Sequence, residues 1–79
     1  MEFIMAFGST HKVLKAESIL NNGDVCFRLL PAPKALVPYC DLVISVAPDA
    51  LDQALELLKG SRLKPKAIYK KEGDEYAQV

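Results

Sequence analysis

Apolar residues recur with strand spacing in four stretches of the chain and with helical spacing in two. Residues 2–7 read as a first strand. Ser9 follows as an N-cap, because its hydroxyl can accept from amides left free in the first turn of a helix. Val13, Ala16 or Glu17, and Leu20 lie at helical spacing, with Leu14 and Ile19 broadening the stripe. Asn21-Asn22-Gly23 then supplies residues tolerant of the left-handed conformation that ends helices. Residues 25–30 read as a second strand, with Val25, Phe27 and Leu29 on one side and Cys26, Arg28 and Leu30 on the other. Pro31 and Pro33 cannot donate ladder hydrogen bonds, so that strand ends and a long connection begins.

Residues 42–46 form a β-branched third strand, central in the sheet. Asp49 is expected to cap a second helix after Pro48, with Leu51, Ala54, Leu55 and Leu58 on one buried face and Gly60 at its end. Residues 66–71 read as a fourth strand, and Glu72-Gly73-Asp74 turns the chain into a short terminal strand or a frayed tail. The order β-α-β-β-α-β predicts a ferredoxin-like split βαβ fold: α+β, an antiparallel sheet in the order 4-1-3-2, two helices on one face. Residues 1–79 then make a single domain of modest stability.

This topology gathers distant residues. The end of the first strand and the connection between the second and third emerge at one sheet edge, so Ser9, Thr10 and His11 should lie near Cys40. Arg62, Lys64 and Lys66 should reach the same rim, with Lys34 supplied by the connection itself.

Ten basic and ten acidic residues cancel, which removes the general attraction to phosphate backbones that nucleic-acid binders use. The lack of tryptophan and the shortage of aromatics on the central strands also argue against a base-stacking sheet. No apolar run is long enough to span a bilayer, and the first residues lack the basic and small-residue features of a secretion signal. A cytoplasmic protein without disulfides is the expectation. Cys26 and Cys40 have neither C-x-x-C spacing nor a matching histidine pair, so no structural metal site is expected. Pairing Leu30 near Leu42 puts Cys26 opposite Val46, too far from Cys40 for a disulfide.

Cys40 stands where a proline-punctuated loop enters an apolar strand, and a thiol there can meet solvent or a substrate. Its structural alternative is a small buried hydrophobe at a strand start. Ser9 is explained by capping alone, and the basic cluster by a solvated rim. One helix terminus contributes only about 0.3 to 1 kcal/mol to holding an anion. A reactive Cys40 therefore needs a cation as well, Lys34 or a protonated His11.

The run Phe7-Gly8-Ser9-Thr10-His11, a helix ending near Gly23, Leu29-Leu30-Pro31-Ala32-Pro33-Lys34 and then Cys40 resembles a small bacterial family of selenium/sulfur carrier-like proteins. The resemblance covers nearly the whole chain. In that family the motifs usually read F-P-S-T-H and P-T-P-R, and glycine follows the cysteine; here Lys34 replaces arginine and Asp41 the glycine. A carboxylate beside a thiol opposes thiolate formation. The resemblance implies a carrier or accessory protein rather than a self-contained enzyme. Cys40 would be the nucleophile and carrier thiol, with Ser9, Thr10, His11 and Lys34 as binding residues. No cofactor is required, and the partners are protein donors and acceptors of sulfur or selenium. The alternative is a non-enzymatic module that keeps the fold without the chemistry and dimerises through its helix-free sheet face.

Overall fold

In a computed structural model describing residues 1–79, β1 (Glu2–Ala6) leads through fully buried Phe7 to Ser9. The Ser9 Oγ accepts from the Lys12 amide at 3.3 Å, and α1 (Thr10–Asn22) starts there. Its buried stripe is Val13, Ala16 and Leu20. Leu14 stays exposed, so the stripe is narrower than the pattern suggests.

Both helices end in one local motif, and in neither does glycine take the left-handed position. After α1 the Val25 amide donates to Leu20 O and the Asp24 amide to Asn21 O, with Asp24 at φ 59°. After α2 (Leu51–Gly60) the Leu63 amide donates to Leu58 O and the Arg62 amide to Lys59 O, with Arg62 also at φ 59°. These are the paired bonds of a Schellman ending, closed by the buried contacts it favours. Gly23 has φ −93°, so left-handed freedom is not its use. A Cβ there would collide with Cδ1 of Leu57; the residue lets α1 approach α2.

The second strand departs most from its pattern. β2 is Arg28–Pro31, not 25–30. The Val25 bond and the left-handed Asp24 tie the residues before it to the end of α1, so pairing begins later. Pro31 belongs to the strand, opposite Leu42. Because β2 lies at the sheet edge, its missing N–H costs no ladder bond. The register pairs Leu30 with Val43 rather than Leu42, so Cys26 projects beyond Val46 toward Ala47.

β3 is Leu42–Val46, as its β-branched run predicts. Asp49 does not cap α2. It sits in a 3-10 turn, Pro48–Ala50, closed by the Ala50 amide on Ala47 O at 3.0 Å; α2 starts behind Ala50 with no side-chain cap. Leu51, Ala54, Leu55 and Leu58 do face inward, Ala54 and Leu58 fully buried. β4 (Ala67–Glu72) runs one residue later than expected. Gly73, at φ 61°, turns it into β5 (Glu75–Gln78), a paired strand and not a frayed tail.

The α+β result is one five-stranded sheet in the order β2-β3-β1-β4-β5, antiparallel throughout. The helices contact each other, and α1 contacts β3. Register divides the central side chains into two sets. Phe3, Met5, Ile44, Val46, Leu29 and Ile68 share one face; Glu2, Ile4, Ser45, Arg28, Tyr69 and Lys71 share the other. No helix is long and apolar enough to cross a membrane.

Candidate functional site

The connection from β2 to β3, residues 32–41, is tied at its neck. The Ala32 amide donates to Asp41 O at 2.9 Å. Inside it, the Leu36 and Val37 amides both donate to Pro33 O, at 2.9 and 2.8 Å, and Val37 is fully buried. Joined ends and an inward side chain make a compact Ω-type loop.

Lys34 adds a second tie. Its Nζ donates to Asp41 Oδ1 at 2.8 Å and to Cys40 O at 3.2 Å. The Lys34 hydrogen bond, reinforced by its charge, holds the Asp41 carboxyl below the usual carboxylate range. Both side chains are largely exposed, so the pair shapes the loop more than it stabilises the fold. The Asp41 charge is thus directed at Lys34, and the ammonium reaches the carbonyl of Cys40 rather than its sulfur.

Cys40 is 4% exposed. Its Sγ–H donates to Leu42 O at 3.2 Å, and Thr10 Oγ1 lies 3.8 Å from Sγ. The start of α1 and the end of the loop therefore meet, as the topology predicts. Reaction at sulfur requires the bond to Leu42 O to break and the loop to yield access.

Tyr39 is a component that the sequence reading passes over, although an aromatic next to Cys40 was the available signal. Loss of hydration pushes its phenol up, and the neighbouring Tyr69 and Cys40 push in the same direction. Lys66 Nζ lies 4.2 Å from the Tyr39 ring centroid, a cation–π contact. That contact brings Lys66 to the loop.

The other expected residues are less central. Ser9 is occupied as a cap, and His11 is exposed. Arg62 and Lys64 do not join Lys66 at Tyr39; they line a separate groove with Leu55, Lys59, Leu63 and Pro65, because the ending of α2 turns them there. Cys26 is exposed and lines a cleft with Glu2, Arg28 and Ser45. Both cysteines are free. No three His, Cys, Asp or Glu side chains gather to hold a metal.

The arrangement can offer one thiol, screened by a tied loop and bordered by a hydroxyl, a phenol and two ammonium groups. A family model described as "Putative Se/S carrier protein-like" matches residues 2–70, a span that includes every residue of this cluster. No curated protein and no solved structure gives a significant match.

Proposed function

We propose that this chain, which belongs to the Se/S carrier protein-like family, carries sulfur or selenium on Cys40 between protein partners. The observation that supports the reading most is the meeting of Thr10 and Cys40 at 3.8 Å, which joins the family's two motif regions in one site. We read the strand order as a ferredoxin-like split βαβ unit extended by β5.

In the loading step the Cys40 sulfur attacks the terminal sulfur of a donor persulfide. A new S–S bond forms at Cys40, the donor's S–S bond breaks, and the Cys40 proton leaves with the donor thiolate. An acceptor thiol reverses the exchange. Thr10 donates to the anionic terminal atom, with His11 and the first-turn amides beside it. Lys34, on the Cys40 carbonyl and Asp41 at rest, closes the loop again once the exchange is complete. Two free cysteines suit a reducing, cytoplasmic setting.

Intact mass after incubation with a cysteine desulfurase and cysteine tests this. Wild type and Cys26→Ala should gain sulfur, and Cys40→Ala should not. A gain that survives Cys40→Ala removes the assignment. The burial of Cys40 and its bond to Leu42 O favour the second reading, a binding or dimerisation module in which Cys40 is structural. Absence of any gain selects that one.

A further inference from the structure

We propose that the groove between the end of α2 and the start of β4 docks an acidic segment of a partner protein that inserts an apolar side chain. The groove has a volume of about 420 Å³ and is lined by Leu55, Lys59, Arg62, Leu63, Lys64 and Pro65. Its walls combine three cations with apolar surface, and no carboxylate lines it.

The charge is local. Between Leu57 and Lys71 the chain carries six of its ten basic residues and no acidic one, although the whole sequence is neutral. The three ion pairs of the structure use Arg28, Lys34 and Lys70, leaving the groove cations without a carboxylate partner. Cations beside a helix C-terminus complement its dipole, which accounts for Lys59 and Arg62. It accounts neither for Lys64 beyond the helix nor for the apolar walls.

A neutral chain with a compact basic recess fits a short acidic segment better than a phosphate backbone, which needs an extended basic stripe. The apolar walls specify the rest of the ligand, a leucine-like anchor between carboxylates. Along the chain, the groove adjoins the residue that reaches the neighbour of the candidate thiol. Pro65 precedes Lys66, whose amide donates to Ala6 O at 2.8 Å and whose ammonium covers Tyr39, the neighbour of Cys40. That the docked protein is a donor or acceptor of the chalcogen rests on the carrier reading; the groove and its ligand chemistry do not.

The test is a titration of the isotope-labelled full chain, followed by NMR, with a capped peptide alternating Glu and Leu. A Gln-for-Glu version and phosphatidylglycerol vesicles are the comparison arms. Saturable shifts confined to residues 55–66 are expected with the acidic peptide alone, weakened at least tenfold in Arg62→Gly/Lys64→Gln. Glycine fits the left-handed backbone at Arg62, so that variant keeps its fold. Equal binding of the Gln peptide, shifts elsewhere, or binding only to vesicles would overturn the proposal. Cys40→Ser should bind the peptide as wild type does. Separately, the Cys26→Ala chain, whose one thiol is Cys40, is treated with inorganic polysulfide and weighed. Loading without peptide binding removes the groove and leaves the carrier; peptide binding without loading does the reverse.

Discussion

The Thr10 hydroxyl oxygen lies 3.8 Å from the Cys40 sulfur, across thirty residues of sequence. One residue opens a helix and the other closes a loop, so their contact depends on both the sheet register and the loop. It is long for a hydrogen bond and weak at rest. Its value would lie in what a hydroxyl does for a sulfur that becomes anionic.

Thr10→Val keeps the shape and removes that hydroxyl. Alkylation of Cys40 by iodoacetamide should slow about 2- to 5-fold, the effect of one modest hydrogen bond, and Thr10→Ser should restore the rate. An unchanged rate in Thr10→Val would mean that the hydroxyl serves only packing.

Asp41→Gly removes one side of the Lys34 tie and frees the ammonium beside the Cys40 backbone. Cys40 should alkylate several-fold faster, while stability falls by about 0.4 to 1 kcal/mol from the added freedom of the unfolded chain and little from the loss of an exposed pair. The Asp41 carboxyl is held low by Lys34, so the tie is complete above the ordinary carboxylate range and is lost as pH falls through the lowered value. Loosened protection of the Ala32 amide in acid, absent in Asp41→Gly, is the measurement. Identical acid profiles in the two proteins would count against the tie.

Tyr39 gives a signature at the other end of the pH scale. Its raised phenol contributes stability that is full below the ordinary tyrosine range and lost as pH rises toward the raised value. Ultraviolet titration should show a late-ionising phase that is missing in Tyr39→Phe. Lys66→Ala should cost about 0.5 to 1 kcal/mol, the usual worth of an exposed cation–π contact, read by denaturant unfolding.

Gly23→Ala sets two effects against each other. Stiffening the unfolded chain would stabilise by about 0.4 to 1 kcal/mol, while the clash with Leu57 costs about 1 to 3 kcal/mol as overpacking does. A net loss of stability is expected. Leu57→Ala in the same chain should remove most of the Gly23→Ala penalty, and simple additivity in that double-mutant cycle would refute the packing account.

Signals carried by one segment were legible without the structure. Ser9 accepts from Lys12 three residues on, and the β-branched run of β3 needs no partner to be recognised. Cys40 and the Thr10 region could be placed together because alternating strands bring those ends to one edge. Features settled by contact between distant segments were not legible. Gly23 answers to Leu57 on another helix. The start of β2 answers to backbone bonds from the end of α1, and the presence of Pro31 within it to its place at the sheet edge. Asp41 reads in sequence as a charge beside a thiol, yet the loop's closure hands that charge to Lys34. Sequence fixes which groups a short segment offers its own backbone; only tertiary packing decides which of several distant partners each remaining group meets, because the competing contacts are close in energy and geometry chooses among them.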